Sequence, residues 1–226
     1  MSEASANPEP SYELARKALV RDLRHDISDE RVLAAIDSVP RERFVPAPVR
    51  HLAYEDSALR IGHGQTISQP RIVALMLQEL RLEGGEKVLD IGTGSGYQAA
   101  VLAQLAREVV SVELIPALAE AARRVLTELG YANVAVHLAG ESLGRPEDAP
   151  YDAIVVAAAS PRIPMSLVDQ LAPGGRLVLP VGSRELQDLV VVESRPEGLV
   201  VQRKGACRFV PLIDREAYAA AEENKT

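Results

Sequence analysis

From residue 87 onward the chain alternates between two kinds of apolar pattern, and that alternation restricts the fold more than any other feature. KVLDI (87–91), EVVSVE (108–113), NVAVHL (133–138), YDAIVVAAA (151–159) and RLVLPV (176–181) are short β-branched runs. Between them lie YQAAVLAQLA (97–106), ALAEAARRVLTEL (117–129) and SLVDQLA (166–172), where apolar residues recur at helical spacing. Repeated strand–helix units with strongly apolar strands predict a parallel sheet with helices on both faces. Pro173-Gly174-Gly175 closes the last of these helices. Two further runs, LQDLVVVES (186–194) and LVVQRKGACRF (199–209), flank the turn RPEG and read as a hairpin that adds antiparallel edge strands. The fold class is α/β: a doubly wound, mostly parallel sheet closed by a C-terminal antiparallel hairpin.

The first 82 residues follow no such rhythm. Residues 1–10 are small, polar and Pro-containing and read as a disordered tail. A helix is expected from Tyr12 to Leu23, with Leu14, Ala18, Leu19 and Leu23 on one face. A second short helix follows, capped by Ser28, with Asp29 and Glu30 in its first turn and Val32, Leu33, Ala35 and Ile36 as its buried stripe. It stops before Pro40. Residues 40–60 hold three prolines and no period, which predicts an extended arm. Pro70 suits the first position of a helix carrying Ile72, Val73, Leu75, Met76 and Leu80. A chain of 226 residues fits one α/β core. The expected domain is 11–226, with a helical and loop region at 11–82 and the sheet at 83–215.

Composition excludes several functions. A net charge of −7 and a pI of about 5.2 argue against a nucleic-acid binder. With two Phe and no Trp there is no base-stacking platform. Cys207 is the only cysteine, so no intramolecular disulfide forms, which suits a reducing cytosol. The opening residues lack the features of a signal peptide, and no apolar run is long enough to span a bilayer. The expectation is a soluble cytoplasmic protein that binds neither nucleic acid nor membrane; the sequence leaves its oligomeric state open. The four histidines show no metal-ligand spacing with one another or with Cys207.

The chemistry concentrates at two stretches. GTGSG (Gly92, Thr93, Gly94, Ser95, Gly96) follows a strand and opens a helix, where glycines let a ligand approach the backbone closely. The dinucleotide fingerprint needs a small residue where Tyr97 stands. The spacing G-x-G-x-G after an acid-ended strand instead resembles class I S-adenosylmethionine-dependent methyltransferases. Glu113 ends the next strand, where an acid accepts hydrogen bonds from ribose hydroxyls or else only caps or faces water. Asp90 either orients the glycine turn or is simply paired with a neighbour. The second stretch, IGHGQTISQP (61–70), holds Gln65, Thr66 and Ser68 just ahead of the Pro70 helix. Ser68 reads as a helix cap or as a polar group facing a ligand.

FVP (44–46), YEDSAL (54–59), IGHGQTISQP (61–70), VLDIGTGSGYQAAVLA (88–103), LGYANV (129–134), APYDAIVVAAA (149–159), QLAPGGRLVLPVG (170–182) and RFVPL (208–212) together resemble the protein-L-isoaspartate O-methyltransferase family over about residues 11 to 215. The resemblance implies a Rossmann-like methyltransferase fold. It also implies methyl transfer from S-adenosyl-L-methionine to the free carboxylate of isoaspartyl residues in damaged proteins and peptides, with repair starting through a succinimide. It puts the active-site serine at Ser68 and the substrate loop at 65–68. A carboxylate with a pKa of about 4 is already ionised at pH 7, so the reaction needs no base to make the nucleophile. It needs alignment, which can supply roughly 7–11 kcal/mol. The chain departs from the family at AGESLG (139–144), where Gly140 stands in place of an acid that helps to hold the adenosine. Glu141, one residue later, is expected to substitute for it. Arg60 and Arg71 also depart from the usual residues around the substrate loop and are candidates for attracting an acidic peptide. Two alternatives stand beside this reading: a methyltransferase with another acceptor, and an isoaspartyl-binding module with impaired cofactor affinity.

Overall fold

The computed structural model describes residues 12–213. The tail expected at 1–10 and the acidic C-terminal residues lie outside the described residues. Helices α1 (Tyr12–Leu23) and α2 (Glu30–Ser38) form where the apolar spacing places them. Asp29, not Ser28, caps α2: its Oδ1 accepts from the N–H of Arg31 at 2.9 Å and of Val32 at 3.4 Å. Ser28 instead donates its N–H and its hydroxyl to Oε1 of Gln78, at 2.7 and 3.2 Å. The stretch after Pro40 is not an extended arm. Two 3-10 helices, Arg41–Phe44 and Ala47–Leu52, fold it back so that Phe44, Val45 and Ala53 are buried. The φ that proline imposes serves a tight helical turn as well as extended chain, and burial of these apolar residues selects the turn.

The polar stretch at 61–68 is a hairpin rather than a loop. Strands β1 (Leu59–Gly62) and β2 (Gln65–Ile67) pair antiparallel. Their two-residue turn has φ of 52° at His63 and 73° at Gly64. Two positive φ values make a type I′ turn, whose twist matches that of the strands it joins. Helix α3 (Pro70–Leu80) then starts at its proline.

The main sheet begins with β3 (Lys87–Ile91), followed by α4 (Tyr97–Ala103), β4 (Glu108–Glu113), α5 (Pro116–Glu128), β5 (Val134–Leu138) and β6 (Tyr151–Val156). The short helix α6 (Met165–Val168) precedes β7 (Leu171–Gly182), β8 (Gln187–Arg195) and β9 (Gly198–Cys207). The seven strands lie in the order β5-β4-β3-β6-β7-β8-β9. β5 through β7 are parallel, and β8 and β9 continue the sheet antiparallel, as the pattern predicts. The helix expected at 166–172 is cut short at Val168. Leu171 pairs with Tyr151, a bulge follows, and Arg176 then pairs with Ala153, so Pro173-Gly174-Gly175 lies within a long irregular strand.

Alternate side chains of each strand reach opposite faces. Val88, Val109 and Ala153 pack with the buried residues of α1 to α4 in one apolar cluster. Leu89, Val110 and Ile154 pack with Leu167, Val168 and Leu212 in the other. The N-terminal helices are therefore part of the layer over the sheet, and they carry the β1–β2 hairpin to the carboxyl ends of the central strands.

Candidate active site

The chain leaves β3 in two directions, to β4 on one side and to β6 on the other. Such a switch point opens a crevice beyond the carboxyl ends of the strands. Gly92, Thr93, Gly94 and Ser95 line this cleft from the turn after β3, Glu113 from the end of β4 and Gly140 from the turn after β5. Gln65, Thr66 and Ser68 line it from the hairpin. Stretches separated by dozens of residues in sequence thus meet around one space. Of the other residues singled out from sequence, Asp90 lies buried beneath the turn, Gly96 packs behind it, and Glu141 is exposed and outside the cleft wall.

The glycine turn is held from below. Asp90 is fully buried and accepts from Ser111 Oγ at 2.7 Å and from Gln98 Nε2 at 2.8 Å. The hydroxyl of Thr93 lies 2.6 Å from Ser111 Oγ. Ser111 has one proton and gives it to the carboxylate, so Thr93 must donate to Ser111. Asp90 is thus paired with Gln98 and Ser111, and through Ser111 it is linked to Thr93 of the turn. Burial pushes Asp90 up to about 6, against those two hydrogen bonds and with a smaller push from the charge of Glu113. Gly96 opens α4 with φ of 89°, and a Cβ there would sit 3.3 Å from that of Ala122. A side chain at Gly96 would crowd Ala122 and Leu126 of α5 and hold a positive φ that only glycine adopts without strain.

Glu113 joins the turn to β4. One carboxylate oxygen accepts from the N–H of Gly94 at 2.7 Å, the other from the N–H of Ile115 at 2.9 Å. Each oxygen keeps a lone pair for a further donor. An N–H that would cradle a phosphate in a dinucleotide site is therefore already bonded to a carboxylate. Among the described residues, Glu113 is also the only charged one that lines the cleft. A pyrophosphate would meet repulsion with no cation to relieve it. A cofactor that carries positive charge and ribose hydroxyls fits, because a carboxylate attracts the first and accepts from the second.

Across the cleft, the hairpin and the start of α3 are held largely by residues that sequence reading did not single out. Asp56 caps α3 from outside the helix, accepting from Arg71 N–H and Gln69 Nε2, both at 2.9 Å. Gln69 is the N-terminal flanking residue, and its side chain makes no cap hydrogen bond. The cap reading of Ser68 therefore fails. Among the described residues the Ser68 hydroxyl makes no hydrogen bond, and its carbonyl accepts from buried Arg41 at 2.8 Å. Arg71 is engaged by Asp56 and Asp26, whereas exposed Arg60, opposite Thr66 in the hairpin, makes no ion pair among the described residues. The turn at 143–145 is held by Gln170, whose Nε2 donates to the carbonyls of Leu143 (2.9 Å) and Ser166 (2.8 Å) and whose Oε1 accepts from Arg145 N–H (2.9 Å). The chain end returns to the site: Ala159 N–H donates to Val210 and Leu212 N–H to Ala159, both at 2.8 Å, so Val210 to Ile213 close one wall.

A parallel sheet with a glycine turn after its central strand, a strand-end acid and, among the described residues, no cation in the cleft is an arrangement that suits an S-adenosylmethionine-dependent methyltransferase. The profile of the protein-L-isoaspartate(D-aspartate) O-methyltransferase (PCMT) family matches residues 14–217. A protein-L-isoaspartate O-methyltransferase of Syntrophobacter fumaroxidans is 52% identical over 207 residues, covering 91% of this chain and 97% of its own. That of Methanoculleus marisnigri is 56% identical over 189 residues, 83% and 85% of the two chains. A solved protein-L-isoaspartate O-methyltransferase superposes with a TM-score of 0.81 at 30% identity, over 93% of this chain and 69% of its own. A Plasmodium falciparum structure of the same description, in complex with S-adenosyl-L-homocysteine, gives 0.77 at 26% identity, over 88% and 98%. The chain belongs to the protein-L-isoaspartate(D-aspartate) O-methyltransferase family. It is an S-adenosylmethionine-dependent enzyme that methylates isoaspartyl residues, the damaged groups of proteins under repair. Among the described residues, no helix is long and apolar enough to cross a membrane, and no group of three His, Cys, Asp or Glu residues could hold a metal ion.

Proposed function

We propose that Ser68, with Thr66 and Gln65, holds the isoaspartyl carboxylate of a damaged protein or peptide, and that residues 92–95, Glu113 and the backbone at Gly140 hold the cofactor beside it. The observation that most supports this division is the charge of the cleft, where among the described residues Glu113 is the one charged group and lies on the side of the glycine turn. When bound, S-adenosylmethionine supplies a methyl group on a positively charged sulfur. The chain's own residues then have a limited task. The acceptor carboxylate is ionised at pH 7 without help, since its reference pKa is about 4. Hydroxyls at Ser68 and Thr66 and the amide of Gln65 are neutral donors that orient it and leave its charge available for the reaction. Ile67, Ile91, Leu143 and Val210 line the same space and keep water from competing.

Transfer of labelled methyl groups to an isoaspartyl peptide and to its aspartyl counterpart tests the reading. The protein should modify the first only. Ser68→Ala should lower turnover at least about tenfold, the scale of a misaligned reacting pair. Its melting temperature should stay where it was, because the hydroxyl makes no hydrogen bond among the described residues. Full turnover in Ser68→Ala sinks the orienting role.

A further inference from the structure

Arg41 lies in the first 3-10 helix with none of its surface exposed. It forms no ion pair among the described residues. Nε donates to the carbonyl of Ala53 and Nη2 to the carbonyl of Ser68, both at 2.8 Å. The guanidinium carbon stands 4.7 Å from the centroid of the Tyr97 ring, whose edge also meets Phe44. Nη1 of Arg41 and the hydroxyl of Tyr97 are both buried, and among the described residues neither finds a well-formed hydrogen bond to a third group, so their polar contact is with each other. A charge taken out of water with only neutral acceptors around it is costly, and an apolar side chain would often be more stable there. Stability alone therefore gives no reason for an arginine.

Its connections give one. Tyr97 is the residue after the glycine turn, and Ser68 is the substrate-side serine. One planar side chain bonds the backbone of Ser68, bonds the buried carbonyl at Ala53 and lies on the ring of Tyr97. Lysine could not do all three, because its ammonium has neither the fork nor the flat face. Arg41 does not line the cleft, so it cannot act on the substrate carboxylate directly. We infer that Arg41 is a positioning residue: by clamping the Ser68 carbonyl against Tyr97 it fixes the Ser68 hydroxyl relative to the glycine turn, and so sets the spacing between acceptor and cofactor. The inference rests on the role of Ser68 proposed above.

A double-mutant cycle in the full-length protein tests it, with Arg41→Lys and Arg41→Gln each made alone and with Ser68→Ala. Activity is expressed per mole of bound S-adenosyl-L-homocysteine, which removes unfolded molecules from the count. Each Arg41 variant should bind S-adenosyl-L-homocysteine within about twofold of the parent and lose at least about tenfold in kcat on isoaspartyl peptide, since displacements near 1 Å can cost a hundredfold. In the Ser68→Ala background the same changes should cost no more than about twofold, because residues that act as one unit are non-additive. A full kcat in both Arg41 variants overturns the inference. So does an equal loss in the two backgrounds, which would mark a general effect on the fold. If Ser68→Ala alone is silent while the Arg41 variants are not, the failure lies with Ser68.

Discussion

Replacing Asp90 by asparagine removes a fully buried charge and keeps the shape of the side chain. Burial holds the Asp90 carboxyl at about 6 against a reference of 3.8. A difference of roughly 2 units corresponds to about 3 kcal/mol. Because the folded value is raised, the native state keeps a proton between about pH 4 and 6 that the unfolded chain has lost. This group therefore makes the protein more stable as pH falls from 7 towards 4, and its ionised form costs about 3 kcal/mol above pH 6. Asparagine is neutral throughout. Its carbonyl can accept from Gln98 and its amide donate to Ser111, whose hydroxyl then turns to donate to Thr93. Urea unfolding of both proteins from pH 4 to 7.5 gives the difference in stability, in which unaltered groups cancel. The variant should gain about 3 kcal/mol on the parent between pH 4 and 7. A difference that stays flat across that window refutes the reasoning, and the cost of burying Asp90 would then have to be offset in the native state.

Three further outcomes are expected. Glu113→Gln should weaken S-adenosyl-L-homocysteine binding about 10- to 100-fold, near 1.5–3 kcal/mol, because an amide presents a donor to one of the two N–H groups the carboxylate now accepts from; unchanged affinity by calorimetry removes it from the site. Glu141→Ala should leave that affinity within about twofold, the range of an exposed substitution off the cleft wall, and a loss beyond tenfold would mean that the side chain reaches the adenosine after all. Arg60→Glu should raise KM for isoaspartyl peptides with acidic neighbours, with a smaller effect at high salt, since exposed charges are screened; equal KM values for acidic and neutral peptides would take Arg60 out of substrate attraction.

What could be read from the sequence was local. β3, β4, β5 and β6 announced themselves as β-branched runs, and the glycine turn and Glu113 were placed by the strands just before them. Asp90 and its two readings were visible, but the partner that links it to the turn was not, because Ser111 stands on the adjacent strand. The apolar spacing of residues 166–172 suits a helix, yet the N–H of Tyr151 donates to the carbonyl of Gln170 and the next residues pair into β7. β2 has only three residues, too few to show an alternation. Arg41 had no local signal at all. A single arginine in a proline-rich stretch reads as surface, and nothing near it says that the carbonyls of Ala53 and Ser68 converge on it from 12 and 27 residues away.

The positions of the arginines explain how an acidic protein can handle an anionic substrate without holding it too tightly. Arg41 spends its hydrogen bonds on the carbonyls of Ala53 and Ser68, Arg71 is occupied by Asp26 and Asp56, and Arg60 is exposed on the hairpin across from Thr66. None of them lines the cleft. A cation inside it would repel a sulfonium and stabilise the carboxylate most before the reaction, when its charge is greatest, so the barrier would rise. Neutral donors on a rigid hairpin avoid both effects, but they orient by geometry alone. On the proposed roles of Ser68 and Thr66 the site depends on how firmly this segment is held, and the buried guanidinium bonded to the Ser68 carbonyl is one of its anchors.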